Sequence, residues 1–116
     1  MKNAAVNRII AIGGKGCLTG DDEKLIMDSS NFPPEYLPVS HEHLKAYEYL
    51  KESGLAWTFV CPPDIINDGP TGIFTTAAGQ MPAACSDTIH AGDLALFMLK
   101  ELDKNDFVHS RVGISN

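Results

Sequence analysis

The chain has 116 residues, of which 44% are apolar and 21% charged, values typical of a single globular domain spanning residues 1–116. A chain of this length buries roughly 65% of the surface that its unfolded form exposes. The net charge of −6 argues against nucleic acid or an anionic membrane as a partner, because both attract clustered lysine and arginine.

Cysteine usage and hydropathy favour a reducing, cytoplasmic location. Cys17, Cys61 and Cys85 are odd in number and lack paired spacing, which argues against a disulfide framework or a zinc site. No apolar run approaches the roughly 18 residues needed to span a bilayer. The segment before the first apolar run is too short and polar for a signal peptide.

The first segments of the chain predict a strand followed by a long connection. Residues 1–7 are compatible with a last helical turn or a frayed end. Arg8 to Ile12 is a continuous apolar run ended by two glycines, the pattern of a strand buried on both faces. Residues 15–38 contain two glycines and three prolines, which favours an irregular lid over the end of this strand, with one short helix at about Asp22 to Asp28.

The next segment predicts a helix and a second strand. Ser40 is in position to cap a helix that runs from His41 to about Ser53. Gly54 follows this helix and is expected to end it by taking the left-handed conformation. Its inner face carries Leu44, Tyr47 and Leu50. The apolar run Ala56 to Cys61 follows at once, so the order strand, helix, strand predicts a right-handed parallel βαβ unit.

The last third of the chain predicts a helix between short strands. Gly72 to Thr76 and Ser86 to Ile89 are candidate short strands, and Phe107 to Ile114 a third main strand. A helix from Ala91 to about Asp103 has His90 at its cap position and Asp93 placed to reach back to it. The predicted buried side of this helix carries Leu94, Phe97, Met98 and Leu102.

These segments resemble the atypical short-chain dehydrogenase/reductases, in particular the biliverdin reductase B (flavin reductase) and NmrA-like NAD(P)H-binding group. The resemblance lies in Val6-Asn-Arg-Ile-Ile-Ala, Leu50-Lys-Glu-Ser-Gly-Leu-Ala-Trp-Thr-Phe-Val-Cys-Pro-Pro, Gly69-Pro-Thr-Gly-Ile-Phe, His90-Ala-Gly-Asp-Leu-Ala and His109-Ser-Arg-Val-Gly-Ile-Ser. It covers the family's C-terminal half, without the dinucleotide fingerprint. The implied fold class is α/β, a partial Rossmann-like fold of about three parallel strands plus short extra strands, with crossover helices.

The resemblance also implies where a cofactor and a catalytic group would lie. Ligands of an open parallel sheet bind beyond the carboxyl ends of its strands. The positions expected along the nicotinamide of NAD(P)H are Ile12, Gly13, Gly14, Pro62, Pro63, Asp64 and Ile65. The family's active-site serine and histidine fall at Gly14 and Asp64, so Asp64 is the one weak catalytic candidate. Its alternative role is to cap the turn after Pro63.

Three other patterns have simpler explanations. Gly13-x-x-Gly16 follows a strand as a phosphate-binding turn does, but no apolar helix follows it, so a flexible loop is favoured. Tyr47-x-x-x-Lys51 imitates the catalytic pair of classical short-chain dehydrogenases, whereas the family positions for that pair fall at Val39 and His43. His41 and His43 point to different helix faces and have no third ligand nearby, so no metal site is expected.

Three functions remain open from the sequence. The first is a truncated NAD(P)H-binding reductase-like protein that is not catalytic alone and binds its cofactor weakly or not at all. The second is a nucleotide-sensing or regulatory module, and the third an NAD(P)H-dependent flavin or biliverdin-type reductase completed by a partner or dimer. The unpaired edge of Arg8–Ile12 further predicts a homodimer or higher oligomer, since an open apolar edge is a template for association.

Overall fold

The computed structural model describes residues 7–20, 24–29, 32–82 and 86–116. Its main sheet has four strands in the order β1 (Arg8–Ile12), β2 (Ala56–Cys61), β6 (Ser110–Ser115) and β4 (Thr75–Ala78). The first three are parallel and β4 runs antiparallel to β6. A second, two-stranded parallel sheet pairs β3 (Asp64–Ile66) with β5 (Thr88–His90). This confirms the α/β, Rossmann-like fold class.

Two helices cover the opposite faces of the main sheet, α1 (Leu37–Glu52) and α2 (Ala91–Lys104). The core beside α2 is formed by Val60, Ile89, Leu94, Phe97, Val112 and Ile114. The core on the other face is formed by Cys17, Leu18, Trp57, Phe59 and Cys61, with the predicted α1 face of Leu44, Tyr47 and Leu50 against it. No helix in the described residues is long and apolar enough to cross a membrane.

The bounds of β1 and β2 agree with the sequence prediction, but the burial of β1 does not. Within the described residues β1 pairs only with β2, which makes it an edge strand. Its residues are therefore half-buried, and Ile12 is 47% exposed. The apolar run therefore predicted the strand correctly, but the prediction that the strand is buried on both faces was wrong.

Helix α1 begins earlier than predicted, at Leu37, directly after a 3-10 turn at Pro34–Tyr36. Pro38 lies in its first turn, where the fixed φ of proline suits a helix and no N–H is needed. Ser40 is consequently a buried residue inside the helix and not its cap. The end was predicted correctly, since Gly54 takes a left-handed φ of 75°.

Helix α2 has the predicted start and most of the predicted buried stripe, since Leu94 and Phe97 are buried and Met98 packs against the same core. Leu102 is 52% exposed, whereas Glu101 is only 2% exposed. Glu101 is buried because Arg8 donates a hydrogen bond to its Oε2 at 2.7 Å and the Phe107 N–H donates another at 2.8 Å. Asp93 does not reach back to His90, whose N–H donates instead to Asn116 Oδ1 at 2.7 Å.

Hydrogen bonds to these two acidic residues also move the predicted strand bounds. Phe107 lies in a turn held by Glu101, so β6 starts at Ser110 and not at Phe107. The N–H groups of Thr71 and Gly72 donate to Asp93, so β4 starts at Thr75 and not at Gly72. The strand expected from Ser86 is β5, which starts at Thr88.

The connection before α1 contains 3-10 turns and no longer helix in its described part. The turns are Lys15–Cys17, Ile26–Asp28 and Pro34–Tyr36. The helix expected from Asp22 is represented only by the turn at Ile26–Asp28, and Asp22 itself lies outside the described residues, as does the predicted turn before Asn7.

Candidate cofactor-binding site

A cavity of about 320 Å³ opens at the carboxyl ends of β1 and β2. Six of the seven positions predicted to contact a cofactor line it: Gly13, Gly14, Pro62, Pro63, Asp64 and Ile65. Ile12, the seventh, is the last residue of β1 and is not among the lining residues.

The floor of the cavity, formed by Gly13, Gly14, Pro62 and Pro63, continues the parallel pairing past the strand ends. The Gly13 N–H donates to the Val60 carbonyl at 2.7 Å, and the Lys15 N–H to the Pro62 carbonyl at 3.1 Å. A Cβ atom at Gly13 would collide with the Phe59 ring, so only glycine allows the chain to lie this close to the core. The floor is therefore a fixed backbone surface.

The opposite wall comes from α1 and from the segment that precedes it. Val39, Ser40 and His43 face the cavity from the first turns of α1. Phe32 and Tyr36, here called the aromatic rim, meet edge to face with ring centroids 6.4 Å apart and also line the cavity. The sequence did not single out the aromatic rim or Ser40 as site residues.

Val39 and His43 were detectable from the sequence. They are the positions to which the resemblance assigns the catalytic Tyr/Lys pair of related dehydrogenases, and both line the cavity. Tyr47 and Lys51, which imitate that pair, do not. The Tyr47 ring stacks on the Phe59 ring, with the two ring centroids 5.6 Å apart. Lys51 Nζ lies 4.8 Å from the centroid of the Tyr47 ring. Tyr47 is thus a core residue.

Asp64 lies at the mouth of the cavity. It is exposed and is the first residue of β3 rather than a turn cap, and its N–H donates to the Asp87 carbonyl at 3.2 Å. Lys15 places its ammonium group 3.8 Å from the Asp87 carboxylate across the same region. The mouth therefore carries both signs of charge, and the interior is mainly apolar.

The cysteines beneath the floor are fully buried. Burial raises the pKa of Cys17 and of Cys61 above the usual thiol range, so both are neutral thiols at physiological pH. Cys61 is a core residue, as predicted, and Cys85 lies outside the described residues. Neither described cysteine has the properties of a nucleophile.

The loop Gly13 to Leu18 does not present a phosphate cradle. Four of its N–H groups already donate to backbone carbonyls: those of Gly13, Lys15, Cys17 and Leu18. A phosphate site needs such groups free and converging at the start of a helix, and the only helical piece here is the 3-10 turn Lys15–Cys17. In the described residues no three His, Cys, Asp or Glu side chains lie close enough to hold a metal ion.

Known proteins resemble this chain in sequence and in structure. The family profile described as NAD(P)H-binding matches residues 1–105. The uncharacterized protein YwnB of Bacillus subtilis is 27% identical over an alignment of 121 positions, which covers 98% of this chain and 57% of YwnB. The crystal structure of a "putative exported protein" of Burkholderia pseudomallei superposes with a TM-score of 0.86 at 31% identity, covering 99% of this chain and 58% of that one.

A further solved structure is that of a "putative NADH-flavin reductase" of Streptococcus pneumoniae, with a TM-score of 0.82 and 25% identity over 94% of this chain and 55% of that one. The chain thus spans a little over half of the length of the relatives that it matches. Since the family profile covers most of the sequence and the fold agrees, the chain belongs to the NAD(P)H-binding family.

Proposed function

We propose that this chain forms the nicotinamide-facing half of an NAD(P)H-binding reductase-like protein and does not turn over a substrate alone. The observation that carries the proposal is the cavity, where six of the seven expected contact positions converge at the carboxyl ends of β1 and β2. NAD(P)H supplies a hydride when it is bound. The floor would orient the nicotinamide, and α1 with the aromatic rim would exclude water from it.

The size and donors of the cavity favour the nicotinamide end over the whole dinucleotide. A volume of about 320 Å³ is at the lower end of small-molecule sites. Four of the N–H groups in the Gly13–Leu18 loop that could bind a pyrophosphate already donate to carbonyl oxygens. Affinity of the isolated chain for NAD(P)H should therefore be weak.

Two alternatives have specific support. Gly14 and Asp64 replace the serine and histidine of related reductases, which favours a nucleotide-sensing or regulatory module. The second alternative is a reductase of flavins or biliverdin-type substrates that a partner or a second copy completes. The name of the Streptococcus pneumoniae relative supports the flavin part of this alternative.

Titration of the full chain with NADH and NADPH by calorimetry, followed by turnover assays with a flavin and with biliverdin, separates the three. Weak binding in the millimolar range without turnover supports the proposal. Tight saturable binding without turnover selects the sensing module, and turnover by the isolated chain selects the reductase. No binding at millimolar nucleotide contradicts both alternatives and the weak binding proposed here, and it leaves a truncated chain that does not bind the cofactor by itself.

A cavity-filling variant tests the place of binding. Val39 lies on α1 and lines the cavity, so Val39→Trp should abolish nucleotide binding by occupying the space of the ring. Ala46→Trp, at an exposed position of the same helix outside the cavity, is the matched control and should bind as the wild type does. Equal binding by both variants would place the nucleotide elsewhere.

We also propose that two copies associate through β1. Within the described residues one side of this strand pairs with β2 and the other side is open. Exposed strand edges in stable proteins are usually covered or paired, and Ile12 on this edge is half-exposed.

A further inference from the structure

The polar side chains that line the cavity differ in whether another group already engages them. The Lys15 ammonium lies beside the Asp87 carboxylate, and Asp64 is exposed at the mouth. His43 is half-buried in the wall, and its imidazole has no hydrogen bond or ion pair with any described residue. Among the described residues the imidazole therefore has no acceptor. The Ser40 and Tyr36 hydroxyls also line this mainly apolar cavity, and they too have no hydrogen bond to a described residue.

The chain makes room for this imidazole at Gly14. A Cβ atom at Gly14 would lie 3.0 Å from His43 Nδ1 and 3.3 Å from His43 Cε1. The backbone of Gly14 does not require glycine, since its φ of −145° is ordinary extended geometry. Glycine at this position therefore provides space: the His43 ring lies where a larger side chain at position 14 would be.

The rest of the cavity suits a flat ring. The aromatic rim, Val39 and the prolines of the floor supply apolar surfaces that contact a ring by its faces and edges. A site that is mainly apolar and has a few polar side chains is matched by a neutral aromatic ligand with a hydrogen-bond acceptor.

We propose that His43 is the polar anchor of this cavity, donating a hydrogen bond to the carbonyl oxygen of an aromatic carboxamide or ring carbonyl that lies on the floor. The imidazole carries at least one N–H in either protonation state, so the donor is always present. This inference rests on the proposed function, because nicotinamide is such a carboxamide. It adds a specificity-determining residue and a ligand class to the same site.

The test uses nicotinamide and 3-methylpyridine, two small rings of which only the first has a carbonyl group. Each is titrated into the full chain, labelled with ¹⁵N, and followed by NMR. We expect nicotinamide to shift the ring nitrogen signals of His43 and the amide signal of Gly14. His43→Phe should raise the nicotinamide Kd about tenfold, the loss of one hydrogen bond, and leave the Kd of 3-methylpyridine unchanged.

The controls separate His43 from the rest of the helix. His41→Phe removes an exposed imidazole from the same helix outside the cavity and should bind nicotinamide as the wild type does. Gly14→Ala is a second variant, which keeps His43 but crowds its ring, and it should weaken nicotinamide binding without unfolding the chain.

The outcomes distinguish this inference from the proposed function. If nicotinamide and NADPH bind the wild type and His43→Phe equally, the inference is overturned and the proposed function stands. If nicotinamide binding depends on His43 but NADPH does not bind, the inference stands and the proposed function fails. If neither ligand shifts any cavity signal, both fail.

Discussion

Asp93 is a buried carboxylate with four hydrogen-bond donors around it. The donors are the Thr71 N–H and hydroxyl, the Gly72 N–H and the Asn116 side-chain amide, at 2.6–2.9 Å. Burial by itself would raise the pKa of Asp93, but these bonds outweigh it and lower the pKa from 3.8 to about 2. Asp93 therefore ties the loop after β3 and the last residue of the chain to the start of α2.

The hydrogen bonds to Asp93 predict that the free energy of unfolding declines over a defined range of acid pH, here called the acid limb. Because the pKa is lower in the folded chain than in the unfolded one, the stabilisation by Asp93 is complete above about pH 4 and is lost as pH falls through about 2. Asp93→Asn should lower the urea midpoint at pH 7 and flatten its decline between these values. The measurement is urea unfolding at a series of pH values. Asp103→Asn, at an exposed position on the same helix, is the control and should change neither the urea midpoint nor its decline with pH. If the decline is also unchanged in Asp93→Asn, the role given to Asp93 is refuted.

Single residues also show why part of the site was not predictable from sequence. The floor was predicted because glycines and prolines end two apolar runs, and strand ends in a parallel sheet meet at one edge. The aromatic rim was not predicted, because Phe32 and Tyr36 belong to an irregular segment with no periodicity, and their place depends on how that segment folds over α1.

Among the secondary-structure elements, β1 and α2 are joined by one buried ion pair. Arg8 donates to Glu101 at 2.7 Å, to the Ala56 carbonyl at 3.0 Å and to Asn105 at 2.8 Å. Thr58 Oγ1 also accepts from Arg8, at 2.8 Å. The edge strand is thus held to the neighbouring strand and to the end of α2 by one side chain.

Removing the charge of Glu101 should be costly. Glu101→Gln leaves the largely buried Arg8 guanidinium without its carboxylate, and we expect a loss of about 3 kcal/mol in the free energy of unfolding. Glu52→Gln, at the exposed end of α1, is the control and should stay within about 0.5 kcal/mol of the wild type. Urea unfolding measures both, and a cost similar to that of the control would contradict the role of the ion pair.

The same pair explains which features of the elements could be predicted. The bounds of β1 and β2 follow from local apolar runs with clear breakers. The last turn of the buried stripe of α2 does not, because periodicity assigns the glutamate there to solvent and the leucine to the core. Glu101 is buried and Leu102 exposed because of Arg8, which lies 93 positions earlier. Such a long-range partner leaves no local signal.

For the whole molecule, the open side of β1 predicts the oligomeric state. We expect the wild type to elute as a dimer or larger assembly in size-exclusion chromatography with light scattering. Ile12→Lys puts a charge on that edge and should shift the chain to a monomer with an unchanged circular dichroism spectrum. Ile73→Lys makes the same change at an exposed position of the loop before β4 and should keep the assembly. A monomeric wild type would overturn the proposed association.

The reach of Arg8 has a consequence for the order in which this molecule folds. Its partners Ala56, Glu101 and Asn105 lie 48, 93 and 97 positions further along the chain. The first strand can therefore be locked only after nearly all of the chain is available, since contacts between distant segments form slowly. Until then both edges of this apolar strand are unpaired, and either can pair with a strand of another molecule. Synthesis at a low rate or temperature should therefore improve the soluble yield of this chain more than that of a domain whose first strand pairs locally.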